Sequence, residues 1–181
     1  MLAARSASRG PALAGRLRRR VAPRRSGSLP RVSVQVEVIT EVTDELVAAF
    51  RRLIPQMSRS APSLDKAALA AVAGHEAVTL LVARLDGEVA GTLTLVMFPI
   101  PTGLRAWIED VVVDESARRH GTGRILSETA VRLAQEAGAR TVDLTSRPSR
   151  EAAGRLYERI GFVQRDSRVY RYAVETGAQD S

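Results

Sequence analysis

Residues 107–124 read Trp-Ile-Glu-Asp-Val-Val-Val-Asp-Glu-Ser-Ala-Arg-Arg-His-Gly-Thr-Gly-Arg, an apolar run of strand character that breaks into a turn rich in arginine and glycine. An amphipathic helix pattern follows, with Ile125, Leu126, Thr129, Ala130, Leu133, Ala134 and Ala137 on one face and Gly138 at its end. Glycine at 121 and 123 removes side chains, so that backbone N–H groups can approach an anion, and the start of a helix adds partial positive charge. A turn of this kind between a strand and a helix predicts a pyrophosphate site, and hence a phosphate-bearing ligand. Two common phosphate loops are excluded. A P-loop needs Gly, four residues, then Gly-Lys-Ser/Thr. A dinucleotide fingerprint needs a third Gly where this chain has Leu126. The remaining pattern is Arg/Gln-x-x-Gly-x-Gly/Ala, present as Arg118, Arg119, His120, Gly121, Thr122 and Gly123.

Outward from this segment the chain alternates in period. Val32, Val34, Val36 and Val38 alternate with polar residues and read as a strand. Thr43 before Asp44 and Glu45 is a helix N-cap, and Leu46, Ala49, Phe50, Leu53 and Ile54 share one helical face. A second helix starts at Ser63 or Asp65 and runs through Ala73 to Gly74. Residues 78–85 and 88–98 read as strands about an Asp86-Gly87 hairpin turn. Residues 99–103 read as a loop, and 104–113 as the next strand. Residues 141–145 form a short strand. Ser149 begins a helix with Ala153, Leu156, Tyr157 and Ile160 on one face and Gly161 as its C′ residue. Residues 162–164 and 168–174 complete the set as strands. An antiparallel meander followed by β-α-β-α-β predicts an α+β (α/β) fold.

Composition bounds the rest. The 181 residues carry a formal charge of +7, yet residues 1–31 hold nine Arg and no acid, which leaves the remainder at −2. The basic character therefore belongs to the N-terminal segment, which argues against the whole chain as a nucleic-acid binder. That segment, dominated by Pro, Gly, Ser and Arg, is expected to be a disordered extension. An upstream start-site artefact, an organellar transit peptide and a basic arm for nucleic acid or anionic lipid are the competing readings. The expected organisation is an extension over 1–31, one domain over 32–176 and a disordered tail over 177–181. Cysteine is absent and only His75 and His120 are present, so no thiolate site is available and no metal is expected. No apolar run reaches membrane-spanning length. A single lysine, Lys66, among abundant arginine suggests a GC-rich genome, hence a bacterial, cytoplasmic protein.

Some 30 residues beyond Gly123, residues 153–162 read Ala-Gly-Arg-Leu-Tyr-Glu-Arg-Ile-Gly-Phe. The joint occurrence of this motif with the arginine–glycine loop resembles the GCN5-related N-acetyltransferase (GNAT) superfamily, over roughly Val32 to Val174. The resemblance implies the GNAT fold, a mixed, mostly antiparallel sheet of six to seven strands with helices on both faces. It implies acetyl-CoA as donor and a primary amine as acceptor, with pantetheine lying between a splayed pair of parallel strands, 104–113 and 141–145. By motif position, Val111 and Val113, with Val112 between them, would meet pantetheine through their backbones, and residues from Arg119 to Arg124 would wrap the pyrophosphate, with Arg118 opening the motif and Arg124 supplying charge at the start of the helix. Two departures stand out. Arg119 occupies a position where many members have Gly, which is tolerable if its φ is negative. Arg150 occupies a position where many have Asn, and would meet a CoA phosphate instead.

Attack on a thioester needs a neutral amine, whereas a free alkyl amine titrates near ~10. A carboxylate can attract the cation and accept its proton. Glu109 is the favoured base, since it lies four residues before Val113 and is expected to share its face; Asp110 is the alternative. The leaving thiolate, near ~8.5 by analogy with cysteine, can take a proton from the phenol of Tyr157. Leu156, Tyr157 and Ile160 also suit a plain core face. The Val111 N–H could help a developing oxyanion. His120 and His75 read as solvated or capping, and Trp107 as packing or an acceptor-pocket wall. The run 108–113 looks like the corresponding run in glucosamine-phosphate N-acetyltransferases, although the first half of the chain shows no clear site for a sugar phosphate. The expected partner is therefore a small-molecule or protein amine, without membrane or nucleic acid, and a homodimer is compatible. The competing function is a non-catalytic CoA-binding module.

Overall fold

The computed structural model describes residues 33–58 and 64–174. The expectations for 1–31 and 177–181, and for a helix start at Ser63, lie outside the described residues. Within them the chain forms β1 (Val34–Val38), α1 (Asp44–Met57), α2 (Lys66–Ala73), β2 (Val78–Leu85), β3 (Glu88–Ile100), β4 (Gly103–Val113), a 3₁₀ turn (Glu115–Ala117), α3 (Thr122–Glu136), β5 (Val142–Leu144) and α4 (Glu151–Arg159). The five strands make one sheet in sequence order. The first four are antiparallel, and β5 joins β4 in parallel.

Local chemistry explains most boundaries. Thr43 caps α1 by accepting from the Leu46 N–H at 3.3 Å, and Asp65 caps α2 through the Ala68 N–H at 2.7 Å. The Asp86-Gly87 turn joins β2 and β3 with both central residues at positive φ, as a tight hairpin requires. Strand alternation splits the apolar residues between two layers. Leu80, Val82, Val89 and Val112 pack beneath α1 and α2 with Leu46, Phe50, Leu53 and Leu69. Leu81, Ala83, Leu93, Leu95, Ala106 and Ile108 pack beneath α3 with Leu126, Ala130 and Ala134. Arg84 binds both Glu45 and Glu37, which fastens α1 to the edge of the sheet.

Three expectations need correction. The sheet has five strands among the described residues rather than six or seven, because residues 162–164 and 168–174 form none. The latter segment has strand-like composition, but a strand needs a ladder partner, and β5 offers only three residues. Val163, Val169, Tyr170, Tyr172 and Val174 are accordingly exposed. Residues 99 and 100 are strand rather than loop, since Pro99 pairs with Leu104 and Ile100 with Gly103. The long helix begins at Thr122, and α4 at Glu151 rather than near Ser149.

One close approach ties the sheet to the start of α3. A Cβ on Gly91 would lie 2.9 Å from the Val112 carbonyl oxygen, 3.2 Å from Leu126 Cδ1 and 3.3 Å from Thr122 Cγ2. Gly91→Val should therefore push α3 from β4 and destabilise the fold by about 2 kcal/mol. Urea denaturation would measure this, and an unchanged midpoint would contradict the assigned packing.

Candidate functional site

The site grows from one irregularity in β4. Thr94 pairs with Glu109, but Thr92 pairs with Val112, so β4 carries one residue more than β3 across this interval. Asp110 is the bulged residue, at φ 51°. Asp tolerates the left-handed region better than most residues with a Cβ, because its short polar side chain can bond locally. The bulge inverts the parity of the strand. Glu109 shares a face with Val112 and Trp107, toward α1 and α2, while Val111 and Val113 join Ile108 on the α3 face. The expectation that Glu109 and Val113 share a face is thereby corrected.

The same irregularity accompanies a parting of strands. β5 pairs with β4 only at Ala106–Val142, Trp107–Asp143 and Ile108–Leu144. From Glu109 onward, β4 has no partner on that side among the described residues. The Asp114 N–H points toward β3, where it donates to the Ala90 carbonyl at 2.9 Å. Amides alternate sides along a strand, so the Val113 and Val111 N–H groups face the gap.

Beyond β4 the chain turns through Asp114, which acts as a junction. Its carboxylate accepts from the Ser116 N–H at 3.0 Å and the Ser116 hydroxyl at 2.7 Å, and pairs with Arg52 of α1. Arg52 also donates to the Val89 carbonyl at 2.7 Å, and the Glu115 N–H donates to Gln56 at 3.3 Å. An Asp directly before Glu-Ser was a readable local cap, but its partner in α1 lies 62 residues away and left no mark in the local pattern. Arg118 is extended, and Arg119 stands at φ 69°, left-handed, contrary to the negative φ that would have accommodated it readily. Gly121 follows at φ 81° as the N-cap of α3 and contributes no side-chain cap. The first turn of α3 contains no acid. Its leading amides are therefore available donors at the positive end of a helix. Thr122 is buried, and its hydroxyl donates to the Ala117 carbonyl at 3.3 Å, which closes the loop from within.

The charged side chains of the loop are less free than the sequence suggests. Arg124 pairs with Glu128 at 3.0 Å and Arg118 with Glu115 at 3.2 Å, in exposed contacts that solvent weakens. Arg119 and His120 are exposed.

α4 reaches the loop through Leu156, whose Cδ1 would lie 3.6 Å from a Cβ on Gly123. The turn after α4, in which the Phe162 N–H donates to the Tyr157 carbonyl at 2.9 Å, folds Phe162 back onto Tyr157. The two rings meet edge to face at 5.8 Å. Burial pushes the Tyr157 phenol above its ordinary value, and the positive charge of Arg150 at the head of α4 partly opposes this. Glu109, on the other side of the sheet from α3, is exposed and accepts from the Trp107 indole N–H at 2.7 Å. The structure thus joins Glu109 to Trp107, and Tyr157 to Arg150 and Phe162. Asp110 is exposed in the bulge and has no partner in the β3–β4 register.

Residues 40–162 match the acetyltransferase (GNAT) family. Human N-alpha-acetyltransferase 30 is 33% identical over 102 residues, which are 56% of this chain and 25% of that protein. The chain spans about a quarter of the length of the curated relatives it matches. A solved structure from Agrobacterium tumefaciens strain C58, named a candidate acetyltransferase, superposes with a TM-score of 0.67 at 26% identity and covers 78% of this chain and 100% of that one. An aminoglycoside N-acetyltransferase in complex with CoA superposes at 0.64 with 17% identity, covering 81% and 99%. The last likeness is one of fold.

The loop yields two expectations. Arg119→Gly should raise stability by about 1 kcal/mol, because only glycine adopts this backbone without strain. Asp114→Ala should lower it by about 2 kcal/mol, by leaving the Ser116 amide and Arg52 without their acceptor. Denaturant midpoints of the purified variants test both.

Proposed function

The chain belongs to the acetyltransferase (GNAT) family, and from that premise we propose that it transfers an acetyl group from acetyl-CoA to a primary amine by direct attack. The observation that carries this reading is the uncapped head of α3 beside the opening between β4 and β5. The residues present suit coenzyme A. Amides of residues 122–124 at a helix N-terminus can accept a diphosphate, with Arg118, Arg119, His120 and Gly121 around it and Arg124 at its side. The Val111 and Val113 amides, flanking Val112, offer donors to an extended amide-bearing arm. Arg150 lies on the Tyr157 side, where it can meet a phosphate or hold the phenol. Support for the donor comes from the CoA complex of an aminoglycoside N-acetyltransferase with this fold.

When bound, acetyl-CoA supplies the activated thioester. The chain's own residues manage the protons. Glu109, oriented by Trp107, attracts the ammonium of the acceptor and takes its proton directly or through water. A base on this face meets an acceptor arriving from the α1–α2 side of the sheet, across β4 from α3. Asp110 is the weaker choice, because it occupies the bulge itself. Tyr157 holds a proton throughout the neutral range, since its phenol is shifted upward, and is suited to give it to the departing sulfur.

Purified protein with acetyl-CoA and a mixed amine panel should release free thiol, together with a mass gain of one acetyl group on one amine. Binding of acetyl-CoA without release would favour a non-catalytic module. Tyr157→Phe should lower kcat about 10²-fold with little change in KM, and Glu109→Gln should do the same. The alkaline limb assigned to Tyr157 should fall above ~10, its phenol being raised from that ordinary value. Arg150→Ala should move that limb higher still, because the charge that lowers it is gone. A limb unaffected by Tyr157→Phe would remove the phenol from the mechanism.

A further inference from the structure

The α1–α2 face of the sheet continues past Glu109 as a strip along β4, on which Glu109 is exposed and Trp107 and Arg105 are half-buried. Glu109, Trp107 and Arg105 alternate on it, and Asp143 of β5 stands beside Trp107 on the same side. At the far end of the strip, where β3 turns into β4 and β5 begins, lies an open surface cleft, a shallow cavity of about 390 Å³ lined by Ile100, Thr102, Arg105, Arg140, Thr141 and Arg165. Three guanidinium groups meet there against one carboxylate. Arg105 donates to Asp143 at 2.5 Å and to the Thr141 hydroxyl at 3.3 Å. Arg140 is anchored at both ends. Its N–H donates to the Leu104 carbonyl at 2.9 Å, and its guanidinium reaches the Thr102 carbonyl. Its stem lies across Gly103, where a Cβ would come within 2.6 Å of Arg140 Cδ. Arg165 makes no side-chain hydrogen bond to a described residue, yet stands near enough to favour the Asp143 anion. Burial alone would raise the Asp143 carboxyl; hydrogen bonds from Arg105 and Thr141 and the charges of Arg105 and Arg165 lower it below the ordinary value. After Asp143 is counted, positive charge remains in excess, on Arg105 and Arg140, whose backbones are held by β4 and the Leu104 carbonyl, and on the exposed Arg165.

Resting on the amine-acetylating reading above, we propose that this cavity is an anion subsite, and that the acceptor is an extended peptide whose N-terminal amine meets Glu109 while an acidic group four or five residues on enters the arginine cluster. The length sets the class. Arg105 and Glu109 lie four residues apart on one strand, roughly 13 Å at the usual rise per residue, and the cavity begins at Arg105. An extended peptide advances by about the same rise, so an acid at the fifth or sixth position, four or five residues on from the amine, is in register with the cluster. A single amino sugar bearing a phosphate is too short to reach both ends. Trp107, midway, presents an aromatic surface under the intervening residues.

The test separates the subsite from the chemistry. Calorimetry on the full chain would use hexapeptides with blocked N-termini and Gln, Asp or phosphoserine at position five. The Asp or phosphoserine peptide should bind at least tenfold tighter than the Gln peptide, and which of the two is preferred distinguishes carboxylate from phosphate. The advantage should vanish in Arg140→Ser/Arg165→Ser, shrink in Arg165→Ser alone, and persist in Arg132→Ser, a control on the exposed side of α3 paired with Glu136. Equal binding of all three peptides by the unaltered protein overturns the proposal. With free N-termini and acetyl-CoA, the acidic peptides should show a KM at least tenfold lower at kcat within twofold. Selective binding without thiol release would leave the subsite standing and end the acetyltransfer reading. Thiol release with equal KM for acidic and neutral peptides would do the reverse.

Discussion

β4 must serve two neighbours whose demands conflict. It pairs with β3 to the end of the sheet, yet it holds β5 for only three residues. The extra residue at Asp110 marks where the conflict is resolved. A bulge adds local twist and bends its strand, and from there β4 runs on to the turn before α3 with no ladder partner on the β5 side among the described residues. The opening that results is lined by backbone donors, which no side-chain substitution removes. The bulge also reverses which side of the sheet each later residue faces. It is why the Glu109 carboxylate and the valines two and four places after it lie on opposite sides, the one toward α1 and α2 and the others toward α3.

The opening would have little use if the loop after it were slack. Asp114 prevents this by joining three elements at once: the end of β4, the 3₁₀ turn and α1. Its environment is largely shielded from water, while Arg52 stays about half exposed. The pair therefore avoids the full desolvation of a buried ion pair, and the other hydrogen bonds at each end fix its geometry. Beneath it, Gly91 lets β3 approach β4 and the first turn of α3 together. The first turn of α3 is thus positioned by the sheet core and not by loop chemistry alone.

Much of this was legible in the sequence, for identifiable reasons. The β2 strand, the Asp86-Gly87 turn and the two capped helices are set by local period and local polarity, and they stand where residue patterns put them. The arginine–glycine loop was legible because positive φ at Gly121 and an uncapped helix start are both written in residue type. The bulge was not, because Asp110 differs in no visible way from any acid on a strand. Nor was Arg119, whose left-handed backbone is imposed by its neighbours against its own preference. The long-range pairs Arg52–Asp114 and Arg105–Asp143 depend on topology, which residue spacing does not encode. Residues 168–174 show the opposite error: a segment rich in valine and tyrosine reads as a strand, but composition cannot supply the missing neighbour.

The bare glycine at the head of α3 has a consequence for mechanics as well as recognition. Helices α1 and α2 close their own first turns with Thr43 and Asp65, whereas α3 starts on a residue without a side chain. An anion seated there would complete the helix in the role those caps play elsewhere. Occupancy and stiffness at that point would then be one quantity, with the ligand acting as a missing piece of secondary structure.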